Sequence, residues 1–286
     1  MQRNARYFFA AAALAIFAAP ASAQFGGFNL NNINVNKVIE TATNVKKATT
    51  ETTEQEEIQL GDEFAALLLG AKPLDGDARL QRYVNTLGRW LAMQTERPDL
   101  PWTFGVLDDP GFNAFATPGG RIFVTRGLIN RMRSESELAG VLAHEIGHVL
   151  KKHHLQAIKK NAGLSLGADA FSALTKSENS PVKSQVIGAV KNVISKGLDK
   201  SDEFEADRLG VVIAARAGFD AYGLPSVLQL LEAQNGNDNG FSLMFSTHPA
   251  PADRLSQLDA IMGSKFDKLP STPGKPVSAR LAEFSK

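Results

Sequence analysis

Val141-Leu142-Ala143-His144-Glu145-Ile146-Gly147-His148-Val149 sets His-Glu-x-x-His inside an apolar run. Two histidines four residues apart share one face of a helix, about 6 Å apart along its axis. That spacing lets both imidazoles reach one tetrahedral zinc ion. Glu145 follows His144 by one residue and points about 100° round the helix. From there it can take a proton from an attacking water without joining the metal. Ile146 suits the core. Gly147 lets another backbone come close, although glycine inside a helix costs about 1 kcal/mol.

Around this helix the periodicity predicts an α+β fold, mostly helical, with a small β-sheet beside the active-site helix. Helical spacing runs from about Thr53 through Leu69, with Ile58, Leu60, Phe64, Leu67 and Leu68 on the apolar side, and Pro73 stops it. It returns over Asp77 to Gln94, carried by Leu80, Tyr83, Val84, Leu87, Trp90 and Leu91. The pattern then changes to alternation. Residues 102–107, 112–116 and 121–125 read as three short strands, separated by the turns Asp108-Asp109-Pro110-Gly111 and Pro118-Gly119-Gly120. Gly127 to Met132 reads as a short helix. Ser134 with Glu137 forms a capping box that opens the His-Glu-x-x-His helix, which the spacing carries on through Lys160. Two loosely packed helices follow between Asn161 and Lys200. Further helices run over Asp202 to Ala217, ended by Gly218, then Leu224 to Gln234 and Ala252 to Met262. The domain is expected over 53–268, with an irregular tail over 269–286.

Arg3 and Arg6, the apolar run from Phe8 to Ala19 and Ala21-Ser22-Ala23 make residues 1–23 a secretory signal peptide in pattern. The Gly- and Asn-rich stretch that follows, with the polar residues after it, predicts a flexible leader over 24–52. The expectation is an exported protein, periplasmic in a Gram-negative source and otherwise secreted. The chain has 31 Lys and Arg against 30 Asp and Glu, so loss of Arg3 and Arg6 takes the formal charge from +1 to −1. No basic run points to nucleic acid. No other apolar stretch reaches 18 residues, so no transmembrane segment is expected in the mature chain. There is no cysteine, so the fold relies on its core and its metal rather than on disulfides.

A catalytic zinc needs three protein ligands and an open position. The third can be His, Glu or Asp. His154 follows His148 by six residues, the metzincin spacing, but Lys151 stands where that pattern needs a turning glycine. On a continuous helix His154 lies roughly 9 Å beyond His148 and cannot reach the same ion. His153 and His154 are expected near solvent beside Lys151 and Lys152. Glu203, in Ser201-Asp202-Glu203-Phe204-Glu205-Ala206-Asp207, shares a helix face with Asp207. One of these carboxylates can bind zinc while the other accepts a hydrogen bond from a ligand histidine. Glu205 points the other way, toward solvent. An ordinary charged helix face fits the same residues.

Four blocks in order carry a resemblance. They are Asn113-Ala114-Phe115-Ala116-Thr117-Pro118-Gly119-Gly120, His144 to His148, Glu203-Phe204-Glu205-Ala206-Asp207, and Thr247-His248-Pro249-Ala250-Pro251 with Arg254. Over about residues 55–262 the chain resembles the gluzincin metallopeptidases of family forty-eight, which include HtpX-type and CAAX prenyl proteases. In layout it is most similar to the soluble BepA-like and LoiP-like periplasmic branches. The resemblance implies one Zn2+ per chain held by His144, His148 and Glu203. It also implies a role for His248, either steadying the oxyanion or occupying the open zinc position at rest. Asp199-Lys200 departs from the Ser-Arg often found ahead of the Glu block. The implied activity is zinc-dependent endopeptidase action on polypeptides, in unfolded or damaged cell-envelope proteins, with peripheral association with envelope assembly machinery. An envelope chaperone or assembly factor with a regulated zinc site is the alternative. The strand before the zinc helix suits addition of an extended substrate to a sheet edge, with backbone groups of Asn113 and Ala114 as the contacts.

Overall fold

The zinc-motif helix is the structural centre: all sixteen residues from Glu135 to Leu150 are buried. The computed structural model describes residues 52–162, 181–234, 239–248, 250–269 and 274–283. The expected signal peptide, the leader up to residue 51 and the first of the two loosely packed helices lie outside the described residues.

The helices are α1 (Glu54–Ala71), α2 (Ala78–Ala92), α3 (Arg126–Arg131), α4 (Glu135–Leu150), α5 (His153–Ala162) and α6 (Pro181–Lys196). They continue with α7 (Lys200–Arg216), α8 (Gly223–Ala233), α9 (Ser242–Thr247), α10 (Pro251–Met262) and α11 (Val277–Glu283). The strands are β1 (Thr103–Leu107), β2 (Ala114–Thr117) and β3 (Arg121–Thr125), in the order β1-β3-β2. β3 is central, parallel to β1 and antiparallel to β2. The result is α+β and mostly helical, as the periodicity predicts.

Local chemistry explains the boundaries. Thr53 and Glu56 close a reciprocal capping box at the start of α1. The Asp77 carboxylate accepts the N–H groups of Arg79 and Leu80 at the start of α2. At α4 the box is only half closed. Ser134 Oγ accepts from Glu137 N–H, but the Glu137 carboxylate turns to Arg133, accepting from its backbone and guanidinium. Trp90 is 48% exposed and donates its indole N–H to the Ala217 carbonyl, so it rims α2's apolar face instead of filling the core.

Two apolar clusters hold the elements together. The larger joins α2, the sheet, α4, α7, α8 and α10. The smaller joins α1, α5 and α6, through residues such as Leu60, Phe64, Ile158 and Val193. The tail is not irregular throughout: α11 buries Val277, and Arg280 Nε lies 2.9 Å from Glu135 Oε2 at the start of α4. The buried Glu135 carboxylate, which also contacts the Tyr83 hydroxyl, is the charge that draws this segment in.

The zinc-motif helix does not run on to Lys160. It ends at Leu150, Lys151 caps it, and Lys152 adopts a left-handed φ of 58° before α5 begins. The Lys152 ammonium lies 3.2 Å from the fully buried Glu57 carboxylate, which Arg97 also grips. That ion pair is a physical reason for the bend, since a continuing helix would carry Lys152 onward.

Candidate metal centre and active site

α4 and α7 cross at two glycines. A Cβ on Gly147 would stand 3.1 Å from the Ala206 carbonyl oxygen, and one on Gly210 would stand 2.9 Å from the His144 nitrogen. This close approach sets Glu203 and Asp207, one turn apart on α7, against His144 and His148, one turn apart on α4.

His144, His148, Glu203 and His248 each offer one ligand atom, and these atoms all lie within 4.8 Å of one another. His144 Nε2 and His148 Nε2 are 3.0 Å apart. Glu203 Oε2 lies 3.6 Å from His144 Nε2, and Oε1 lies 3.4 Å from His148 Nε2. Both Glu203 oxygens are buried and accept no hydrogen bond, although Arg254 Nη1 stands 3.2 Å from Oε2. A buried carboxylate without hydrogen bonds is costly unless something else compensates its charge. Two imidazole nitrogens and a carboxylate converging in this way match the donor set of a catalytic zinc site. The residues therefore fit the ion.

A carboxylate faces the far side of the His144 ring. Its Nδ1 lies 2.9 Å from Asp207 Oδ1. Arg254 donates to both oxygens of Asp207, from Nε at 2.8 Å and Nη2 at 2.6 Å. Burial alone would raise the Asp207 pKa, but the Arg254 guanidinium overrides it and holds the carboxyl well below the usual range. Arg254 is the residue whose importance spacing alone does not show. It sits on the first turn of α10, after the chain turns at Ala250 (φ 53°), and ties the segment carrying His248 to α7. Lys200, at the position where the family pattern often has arginine, pairs instead with Asp253 at the surface.

Glu145 and His248 face each other, with His248 Nε2 3.5 Å from Glu145 Oε1. The His248 Nδ1 contacts the Thr247 hydroxyl at 2.9 Å. Burial opposes ionisation of Glu145, but the neighbouring imidazoles prevail, His248 first, and lower its pKa. Burial likewise opposes charge on His248, and Glu203 followed by Glu145 raises its pKa nonetheless. A dication among the ligands would act in the opposite sense on His248. Burial, with the crowd of imidazoles, holds His148 well below its ordinary value, so its neutral, metal-binding form is favoured.

His153 and His154 depart from expectation. His153 is only 3% exposed, and its Nδ1 lies 2.9 Å from His148 Nδ1. The bend at Lys152 folds it back over the zinc-motif helix. His154 packs edge-on to Phe64, its ring 5.4 Å from that of His148, and burial pushes its pKa down to about 4. Glu205 is neither idle nor buried: it pairs with Lys151 at 2.9 Å and faces His153 Nε2 at 3.3 Å.

Asn113 and Ala114 lie beside the cluster but are themselves buried. Asn113 spends its backbone on Thr125: its N–H donates to the Thr125 hydroxyl, and its carbonyl accepts from the Thr125 N–H. Its side-chain oxygen accepts the Ala114 N–H at 2.9 Å. Ladder alternation turns the backbone groups of Ala114 and Ala116 away from β3. Ala114 and Phe115 line a narrow cavity with Phe64, His154, Thr247 and His248. Its volume of about 20 Å³ holds a water but no substrate side chain. No helix among the described residues is long and apolar enough to cross a membrane.

Comparison with known proteins adds the family. The chain is 32% identical over 209 residues to the putative beta-barrel assembly-enhancing protease of Vibrio cholerae, covering 70% of this chain and 43% of that protein. It is 31% identical over 210 residues to the beta-barrel assembly-enhancing protease of Escherichia coli K12, covering 70% and 42%. The chain thus spans less than half the length of these relatives. It is also 25% identical over 243 residues to the metalloprotease YcaL of Escherichia coli K12, covering 83% of this chain and 92% of that protein. Residues 78–262 match the profile of Peptidase family M48, and with the donor set described above the chain belongs to that family of zinc metallopeptidases.

Proposed function

We propose that this chain is a zinc-dependent endopeptidase acting on unfolded or damaged proteins of the cell envelope. The observation that carries the reading is the buried convergence of His144, His148 and Glu203 with Glu145 alongside. His144, His148 and Glu203 hold the metal. Asp207 fixes the His144 tautomer, and Arg254 fixes Asp207. Zinc, when bound, supplies a Lewis acid that polarises the scissile carbonyl and makes water more acidic. Glu145, ionised beside the site, takes the proton of the attacking water on a carboxylate oxygen and passes it to the leaving amine. A structural zinc site needs no such base, which favours an enzyme over a purely structural assembly factor.

At rest His248 would hold the position that His144, His148 and Glu203 leave open on the metal. It belongs to the ligand group, faces the base, and stands over a cavity too narrow for a side chain. Extended substrate adds along β2, through the Ala114 carbonyl and the outward backbone of Ala116, while Asn113 secures the start of the strand and already accepts the Ala114 N–H. Backbone recognition tolerates varied side chains, which suits unfolded substrates. Residues 1–23 have the pattern of an export signal, which supports a periplasmic mature protein in a Gram-negative source. The names of the beta-barrel assembly-enhancing relatives point the same way, toward outer-membrane assembly as the setting.

Digestion of casein with and without a chelator, and after zinc is restored, tests the activity. Cleavage lost with the chelator and regained with zinc is expected. Chelator-resistant cleavage, or none by the unmodified chain at full zinc occupancy, would defeat it.

A further inference from the structure

The two histidines of the zinc motif are held differently. His144 reaches a charged carboxylate directly, through Nδ1 and Asp207. His148 reaches no carboxylate through its Nδ1. That nitrogen lies 2.9 Å from Nδ1 of another histidine, His153. His148 is fully buried and His153 nearly so, which keeps both nitrogens from bulk solvent.

The proton positions follow from counting donors and acceptors. Two neutral ring nitrogens at this distance share one proton: one donates and the other accepts. His148 presents Nε2 to His144 and Glu203. If that nitrogen offers its lone pair to a metal, the His148 proton sits on Nδ1. Nδ1–H then donates to His153 Nδ1, and the His153 proton must sit on Nε2. His153 Nε2 faces Glu205 Oε2 at 3.3 Å. Glu205 is held in turn by the Lys151 ammonium at 2.9 Å. One line of hydrogen bonds therefore runs from His148 through His153 to a carboxylate near the surface, and every member has the tautomer the next requires.

We infer that His153 is a positioning residue for the metal: it fixes the tautomer and ring orientation of His148 by accepting from Nδ1–H, with Glu205 anchoring its far side. This inference rests on His148 being a zinc ligand. The device exists because the chain bends at Lys152. On a continuous helix, five residues place His153 well round from His148, about 140° away. The left-handed Lys152 brings it back.

Partners in this position tune metal affinity by about 10–100-fold. The test is the zinc dissociation constant of the full chain, measured by competition with a chromophoric chelator, for His153→Ala and His153→Gln. Alanine leaves the buried His148 N–H without an acceptor, whereas glutamine returns a carbonyl oxygen. The expected result is a 10–100-fold loss for alanine and recovery of most of it for glutamine. Unchanged affinity in the alanine variant overturns the inference, as does an equal loss in both, which would mark a packing role. The unmodified zinc-loaded chain, labelled with nitrogen-15 at histidine, gives a check that needs no variant. A scalar coupling across the hydrogen bond between the two Nδ1 atoms is expected, and its absence overturns the assignment. If His148→Ala leaves zinc affinity unchanged, the ligand assignment itself fails and this inference falls with it.

Discussion

A Cβ on Gly210 would stand 2.9 Å from the backbone nitrogen of His144. The two helices that bear the metal-binding residues therefore touch backbone to backbone, and the spacing of the ligands depends on a glycine that binds nothing. Gly210→Ala should push α7 outward, costing roughly 1–3 kcal/mol of stability and weakening zinc binding with no ligand altered. Gly188→Ala, in α6 with nothing within 4 Å of the added methyl, should be neutral or stabilising by about 0.5–1 kcal/mol. Denaturant unfolding with zinc titration checks both. Unchanged zinc affinity in Gly210→Ala would show that the crossing can yield without moving the site.

The base is tested by Glu145→Gln. The amide keeps the shape of the side chain but cannot accept the water's proton. Zinc content should stay at the unmodified level while peptidase activity falls to near background. Metal content and cleavage are measured on the same sample, and substantial turnover at full zinc occupancy would remove Glu145 from the role.

Ligand and partner are separable on α7. Glu203→Ala should lower zinc content sharply. Asp207→Asn should cost roughly 10–100-fold in affinity or activity, the usual scale for a residue acting through a ligand. Glu205→Ala should retain most of its zinc, because Glu205 lies one histidine removed from any ligand. Equal retention in the Glu203 and Glu205 variants would place the third ligand elsewhere.

Much of this was legible in the sequence because it is local. His144 and His148 share a face by helical spacing, and so do Glu203 and Asp207, and both pairs form one site. Gly147 was readable as a point of close approach. The bend at Lys152 was not, because its cause is long-range: the ion pair between Lys152 and Glu57 joins segments 95 residues apart. Missing it placed His153 in solvent instead of on His148. Arg254 stands in the fourth block of the resemblance, but its partners were hidden for a related reason. A lone arginine on a helix gives no sign that it will be buried against two carboxylates on another helix. The α11 contact with Glu135 was likewise invisible from a proline-rich tail.

One ion pair away from the site predicts a pH response. Arg126 grips Asp75 through Nε at 2.7 Å and Nη2 at 2.5 Å. The Arg126 hydrogen bonds hold the Asp75 carboxyl below its ordinary value. A depressed folded pKa adds stability above the unfolded value of about 3.9, and that stability is lost as pH falls through the folded value. Arg126→Ala should therefore destabilise the protein by roughly 1 kcal/mol at pH 7 and by progressively less below pH ~4. Unfolding midpoints from pH 7 down to pH ~3 check the sign, and a deficit that persists in acid would point to lost packing instead.

His248 separates two readings of the site. Its Nε2 stands 3.5 Å from the Glu145 carboxylate and within the ligand group. A side chain there at rest competes with the water that Glu145 must deprotonate, and the cavity beneath it is closed to side chains. On the resting-cap reading, His248→Ala opens the fourth position and activity rises. On the alternative, His248 donates to the developing oxyanion, and the same change lowers kcat by on the order of 100-fold. The loop's attachment favours the cap. His248 lies between the short α9 and α10, and Arg254, one turn into α10, is clamped to Asp207, so the residue that would leave the site and the residue that holds the site together are separate. His248→Ala should be assayed on an unfolded substrate with zinc content measured alongside. A rise supports the cap, a deep fall transfers the residue to transition-state stabilisation, and an unchanged rate removes it from the site.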